Sequence, residues 1–287
     1  MPRIYLGGQR RLHVAEDKPF SFGKNWQDFL EGFDNERLRV AEDSLTEFLG
    51  TEDLKGKRFL DVGCGSGLFS YAAHNLGADT VVSFDVDIFS VECCRYLKKK
   101  AGSPEHWEVS EGSILDKGFV STLGGFDVVY SWGVLHHTGR MWDAIEIAAD
   151  LVNPGGYYYI ALYNRILSRN GSTSWIHPFW TSVKKLYNAY PWFGKYVMAP
   201  PAMLAYLSLV VLRGENPVSH VTHYKSQRGM NWRNDAVDWL GGYPYEYATV
   251  EQVFKLIKSK KPQFNLANIK VTSGRGLNWF LFRNETD

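Results

Sequence analysis

Apolar residues recur along the chain at two spacings, and the spacing alternates from one segment to the next. Over 36–49, Leu38, Ala41, Leu45, Phe48 and Leu49 fall at helical intervals. The run RFLDV at 58–62 predicts a buried strand that ends in glycines. A helix over 68–76 and a strand over 80–84 follow, then a helix over 88–100. Lys98, Lys99 and Lys100 close that helix, as suits the negative end of a helix dipole. Short strands are expected at 107–110 and 126–131. A helix over 140–152 carries Met141, Ile145, Ala148 and Val152 on one face. Asn153-Pro154-Gly155-Gly156 predicts a turn, and 157–163 (YYYIALY) a fifth strand.

Strands alternating with helices predict βαβ units and a doubly wound, mostly parallel α/β sheet. The alternation stops at 165. Residues 165–247 hold aromatic-rich helical pieces, among them Ile176, Phe179, Trp180, Val183, Leu186, Tyr187 and Tyr190. It resumes with Val250, Val253, Phe254 and Ile257 at i, i+3, i+4 and i+7, then two closing strands at 268–272 and 278–283. Three parts are therefore expected: an N-terminal helical segment (1–50), a sheet domain (51–164 with 248–287), and a helical insertion after strand five (165–247).

The 287 residues carry 32 Lys+Arg and 31 Asp+Glu, a net charge of +1. That balance argues against a nucleic-acid partner bound by phosphate neutralisation. The three cysteines, Cys64, Cys93 and Cys94, show no metal-ligand spacing, and the adjacent pair is a poor disulfide. A reduced, cytoplasmic location is expected. The opening residues lack the apolar core of a secretory signal. The longest apolar stretch, 196–212, contains Pro200 and Pro201 and is at the short limit for a span, so no transmembrane helix is expected. It reads as a buried cap helix or as a peripheral membrane contact, with Lys184 and Lys185 nearby for anionic headgroups.

The segment LDVGCGSG at 60–67 carries the strongest chemical signal. A strand, a glycine-rich turn and a helix meet there, at the carboxyl end of a strand where open α/β sheets bind ligands. It is not the dinucleotide fingerprint, which needs Gly or Ala where Leu68 stands. Asp61 would repel a pyrophosphate and suits a cationic ligand such as an amine or sulfonium. A plain βα turn is the alternative. Asp85, followed by Val86, ends the second strand, placed to hydrogen-bond a ribose diol or to cap a helix. Ser113, Ile114 and Asp116 follow the third strand, where an adenine edge could be read or where a loop meets solvent. The fourth strand ends in SWGVLHHT, with Trp132, His136 and His137.

Together these motifs resemble the class I S-adenosylmethionine-dependent methyltransferases, over 58–163 by motif and 249–284 by pattern. LDVGCGSG, VLHHT and NPGG look most like the small-molecule O-methyltransferases of the ubiquinone-biosynthesis type. The resemblance implies a Rossmann-like sheet of seven strands with an antiparallel last strand, S-adenosyl-L-methionine as cofactor and S-adenosylhomocysteine as product. It implies that Asp61, Gly63, Cys64, Gly65 and Gly67 face the methionine part and that Asp85 holds the ribose. Ser113 and Ile114 would lie near the adenine, and Ser131 and Trp132 would line the methionine side. In ubiquinone-type relatives an N-terminal helix carries an Arg near the ligand carboxylate, which makes Arg37 the candidate here; an exposed helix Arg is the alternative. Trp26 precedes it and is a candidate cover.

Transfer to an oxygen requires loss of a proton, and a positioned base contributes typically about 10²–10⁴-fold. His137, then His136, are the candidates, with a structural histidine as the alternative for each. His220 and His223, at i, i+3, show no third ligand, so no metal is expected. Trp26, His223, Tyr243, Tyr245 and Glu246 are candidates for the acceptor site, the last three as a rim within DWLGGYPYE at 238–246. The expected function is methyl transfer to a hydroxyl of a small-molecule, lipid-like or sugar acceptor. Transfer to N, C or S, or a non-catalytic cofactor-binding module, are the alternatives.

Overall fold

The computed structural model describes residues 33–168, 170–228, 237, 239–274 and 276–286, with the side chains of 223–228 excepted. Seven strands form one sheet: β1 (Arg58–Val62), β2 (Thr80–Asp85), β3 (Trp107–Glu111), β4 (Phe126–Trp132), β5 (Val152–Tyr163), β6 (Phe264–Lys270) and β7 (Leu277–Asn284). Their order is β3-β2-β1-β4-β5-β7-β6. β1 to β5 pair in parallel, and β7 runs antiparallel to both β5 and β6. The order reverses between β1 and β4, which opens a crevice beyond their carboxyl ends.

Side chains alternate across β1. Leu60 and Val62 enter a core with Ile145, Val253 and Ile257, while Phe59 enters one with Leu45, Ala72 and Leu97. The second core is covered by α1 (Asn35–Leu49), α2 (Leu68–Asn75) and α3 (Ile88–Lys100), and the first by α5 (Met141–Asp150) and α9 (Val250–Lys260). A short α4 (Lys117–Val120) precedes β4. Asp34 caps α1, accepting from the Arg37 N–H at 2.9 Å. α9 opens on a capping box in which Thr249 and Gln252 bond each other's backbone N–H.

The chain leaves the sheet and returns at one point. The Arg165 N–H donates to the Ala248 carbonyl at 2.9 Å, and the Ala248 N–H to the Tyr163 carbonyl at 3.0 Å. Between them lie α6 (Ile176–Ala189), α7 (Pro191–Leu212) and α8 (Pro217–Arg228). α6 and α7 share a small cluster of Tyr187, Ala199 and Leu240 with Trp180 and Trp239.

Five expectations need correcting. Residues 153–156 turn inside β5 rather than before it. Phe126 pairs with Val152 and Val128 with Tyr157, so four residues bulge opposite Asp127. Gly156 has no room for a Cβ there, since the Asn153 and Asp127 carbonyl oxygens would each lie 2.9 Å away. Val152 accordingly belongs to the strand and not to the helix face. The β6–β7 hairpin also begins earlier than expected, at Phe264, with β7 closing on Asn284.

Finally, Pro200 and Pro201 do not break the apolar stretch. They sit in the first turn of an α segment that follows a π turn at Gly194–Met198, where a missing N–H is tolerated. The helix is continuous for 22 residues. It is not a buried cap either: within Ala199–Leu212 only Ala199 and Val210 are buried.

Candidate active site

Asp61 sits at the end of β1 on the α2 side, 2% exposed. Its carboxylate accepts from the Ser70 hydroxyl at 2.5 Å; Ser70 in turn accepts from Ser83 at 2.8 Å, and Ser83 from the Trp107 indole N–H at 2.9 Å. This relay of buried groups crosses from β3 to β1 and orients the acid. Burial, and the neighbouring Asp85, push the Asp61 carboxyl up to about 7 despite the Ser70 bond.

Asp85 ends β2 beside it. One carboxylate oxygen accepts from the Gly65 N–H at 3.0 Å and the other from the Asp87 N–H at 2.9 Å. Burial raises this carboxyl to about 6. Neither acid forms an ion pair among the described residues.

The glycine loop turns its amides inward. The Gly63 and Cys64 N–H groups donate to the Phe84 carbonyl, Gly65 to Asp85, and Gly67 to the Cys64 carbonyl. A phosphate loop presents such amides outward to its anion. Here Gly63, Cys64 and Gly65 spend them on β2 and Gly67 within the loop, so these amides are not presented to an anion. The glycines also serve packing rather than ligand approach alone. A Cβ on Gly63 (φ +73°) would fall 2.3 Å from Val134, and one on Gly67 (φ +81°) 2.7 Å from Cys94. The Cys64 thiol is buried and hydrogen-bonded to Cys94, which pushes its pKa up strongly. Its side chain therefore packs the loop onto α3.

Val86 is 68% exposed beside Asp85, and Ile114 is buried after β3. The Ser113 hydroxyl accepts from the Leu115 N–H at 3.2 Å, shaping its own turn, and Asp116 caps α4. Ser131 departs from expectation. It is fully buried and donates to the Val62 carbonyl at 3.1 Å, tying β4 to β1 instead of lining the methionine side. Trp132, next along, is exposed at the strand end and meets Trp279 edge-on at 5.9 Å. Arg37 is buried, not an exposed helix arginine, on α1 where that helix packs against α2.

The turn after β4 holds both histidines, 4.4 Å between ring centroids. His137 Nδ1 lies 2.6 Å from the Pro244 carbonyl. A carbonyl only accepts, so Nδ1 carries the proton and Nε2 the lone pair. Burial, with the Lys184 charge, lowers this imidazole to about 3 against a raising bond to Pro244, so it is neutral at pH 7. His136 has the opposite tautomer, because its Nδ1 accepts from the Tyr163 N–H at 3.4 Å. Its Nε2 therefore carries a proton, is buried, and meets no hydrogen-bond partner among the described residues. His136 is thus arranged to donate, which removes it as the base in this geometry.

Residues 243–246 join this turn to the insertion. The Glu246 N–H donates to the His136 carbonyl at 2.9 Å, and the Glu246 carboxylate accepts from the Met141 N–H at 3.0 Å, at the start of α5. Glu246 is a helix-terminal anchor and not a free rim acid. His177, fully buried on α6, accepts from the Ile166 N–H at 2.8 Å, so its Nδ1 donates to the Tyr245 hydroxyl at 3.3 Å. Lys185 lies 5.4 Å over the Tyr243 ring.

Lys184 is not a surface cation. It is 1% exposed, donates to the Trp239 carbonyl and lies 5.0 Å over the Tyr245 ring. His220 is bonded to Tyr206 and Glu215. Trp26 and the His223 side chain lie outside the described residues.

Ser70, Ser83, His177, Lys184 and Tyr163 were not anticipated as parts of the site. His177 and Lys184 share a helix face at i, i+7 on α6, a polar pair within an otherwise apolar stripe, which was the available signal.

An open α/β sheet with this strand order, an inward-turned glycine loop and two acids at its switch point define a methyltransferase of the S-adenosylmethionine-dependent class. The chain belongs to the methyltransferase-domain family, whose profile matches residues 33–197. A tRNA U34 carboxymethyltransferase of Azotobacter vinelandii is 34% identical over 108 residues, 36% of this chain and 32% of that protein. A ubiquinone biosynthesis O-methyltransferase of Chelativorans sp. is 28% identical over 148 residues, 50% of this chain and 56% of that protein. The chain thus matches about a third of the one relative and just over half of the other. Among solved structures, magnesium protoporphyrin IX methyltransferase from Synechocystis PCC 6803 with bound SAH superposes with a TM-score of 0.53 at 13% identity, over 91% of this chain and 93% of that one. An O-methyltransferase family protein from Burkholderia thailandensis gives 0.53 at 13%, over 95% and 66%.

The residues present fit the family's cofactor. A buried and a half-buried carboxylate, with no ion-paired cation among the described residues, suit a ligand that brings a sulfonium, an ammonium and a ribose diol.

Proposed function

We propose that the protein transfers a methyl group from S-adenosylmethionine to a hydroxyl of a small-molecule, lipid-like or sugar acceptor. The observation that carries this reading is the fixed tautomer of His137, whose Nδ1–H is held by Pro244. That bond presents the Nε2 lone pair as a proton acceptor, which an oxygen nucleophile needs and an amine does not. The name of the 28% identical relative points the same way.

The cofactor supplies an electrophilic methyl carbon on a sulfonium whose leaving group is a neutral thioether. Asp61, oriented by Ser70, holds the cationic methionine part, and Asp85 the ribose. Val86, Ser113 and Ile114 frame the adenine, and Arg37 faces the carboxylate. Trp132 closes the methionine side. As the new C–O bond forms and the C–S bond breaks, the hydroxyl proton passes to His137 Nε2. The His136 Nε2–H donates to an acceptor oxygen and positions it. Tyr243 and Tyr245 bound the acceptor site, with the insertion (165–247) as its lid over the sheet domain (51–164 and 248–287). A cytoplasmic location belongs to the same proposal, since Cys64, Cys93 and Cys94 are all unbridged.

The test is to incubate the protein with methyl-labelled S-adenosylmethionine and a host extract, then separate small molecules, lipids, glycans, protein and RNA. Label on oxygen in a small-molecule, lipid or glycan fraction is expected. Label in RNA or protein, or on nitrogen, carbon or sulfur, would overturn the reading.

A further inference from the structure

We propose that α7 is a monotopic membrane anchor that lies in the interface of an anionic bilayer. Its residue distribution is inverted relative to a helix that packs in a soluble core. Few positions turn inward: Gly194, Ala199 and Val210 are buried, and Met198, Ala202 and Met203 pack half-buried against Tyr187 and Leu240. Gly194 is pressed so closely on the Tyr187 ring of α6 that a Cβ would fall 2.7 Å from it. Most of the large apolar side chains point out, with Trp192 70%, Leu204 67%, Leu209 52% and Leu212 81% exposed. Residues 196–212 contain no charged side chain. A helix that is apolar all round belongs in a core or in lipid, and this one is not in a core.

The ends match a membrane interface. Trp192, Lys195 and Tyr196 stand at one end and Arg213 at the other, the aromatic and cationic types that settle at headgroup level. Between 171 and 222 the chain has four Lys or Arg (184, 185, 195 and 213) and a single acid, Glu215. Lys184 is buried, so Lys185, Lys195 and Arg213 are the exposed cations. That local excess favours anionic lipid over a second copy of the same cationic surface.

The topology decides between crossing the bilayer and lying on it. β5 precedes α7 and β7 follows it, yet the two pair along seven residues of one sheet. A single crossing would place them on opposite sides of the membrane. A return crossing would have to run through α8, whose 12 residues (PVSHVTHYKSQR) are polar and too short. The helix therefore docks in the plane, with its inward face on α6 and its outward face among the acyl chains.

The full chain is tested by flotation with phosphatidylcholine vesicles, with and without phosphatidylglycerol. Leu204→Glu with Leu209→Glu is the variant, both positions being exposed, and cofactor affinity serves as its folding control. The wild type is expected to float with the anionic vesicles. The double variant should lose about tenfold or more of that binding with its cofactor affinity intact. No flotation of the wild type, or equal flotation of the variant, overturns the proposal. So does a wild-type dimer, seen by sedimentation without vesicles and dissociated by the double substitution, if the protein ignores lipid.

Discussion

His137 donates its Nδ1–H to the carbonyl of Pro244 over 2.6 Å, joining the turn after β4 to a segment 107 residues further on. The bond fixes the tautomer and ties the insertion's returning segment to the turn after β4. His137→Ala is expected to lower kcat by about 10²–10⁴-fold while leaving S-adenosylmethionine affinity unchanged. Because burial holds the wild-type imidazole near 3, its rate profile should show no acid limb at the ordinary histidine value. Steady-state kinetics across pH, with calorimetry, check both. Full turnover in the variant removes His137 as the base.

Burial raises the Asp61 carboxyl to about 7 in the folded chain against an ordinary 3.8. Between those values the folded chain holds a proton that the unfolded chain has released, so stability falls as pH rises. Asp61→Asn cannot ionise and still offers Ser70 an acceptor. At pH 8 it should be more stable than wild type by on the order of 1–3 kcal/mol, a Tm several degrees higher. Its cofactor affinity should drop about tenfold or more, since the charge that meets the sulfonium and ammonium is gone. A lower Tm for the variant would show that the buried carboxylate stabilises the folded chain.

Gly63 shows what the loop glycines do for the fold. Gly63→Ala adds a Cβ 2.3 Å from Val134 at a backbone φ of +73°. Left-handed backbone and overpacking together should cost about 2–4 kcal/mol by denaturant unfolding. Adding Val134→Ala should recover part of that loss, so the two changes are non-additive. Simple additivity would mean that the loop moves away from Val134.

Much of the fold was legible because both faces of the sheet are buried. That makes RFLDV and YYYIALY stand out as strands, while α1 and α9 show clean helical spacing. The bulge at 153–156 was not, since Pro154-Gly155-Gly156 reads as a turn whether it lies before a strand or inside one. Nor was the continuity of α7, because a proline pair breaks a helix only where its missing N–H has no tolerant turn to occupy. In the site, Asp61 and Asp85 stood out because an acid at a strand end is conspicuous. Ser131 and Glu246 look equally conspicuous, but their polar atoms bond β1 and α5. Such spending of polar groups depends on partners 69 and 105 residues away, which no local pattern encodes. The burial of Lys184 depends in the same way on a partner 55 residues away, Trp239.

The central claim is that the ends of β1 and β2 hold S-adenosylmethionine, with Asp85 on the ribose. Calorimetric titration of the cofactor into wild type and Asp85→Ala at pH 8, where the carboxyl is ionised, tests it most directly. One site per chain is expected in the wild type. Affinity about 10–100-fold weaker is expected in the variant, from the loss of charged acceptor bonds of roughly 1.5–3 kcal/mol each. Unchanged affinity in Asp85→Ala would contradict the claim.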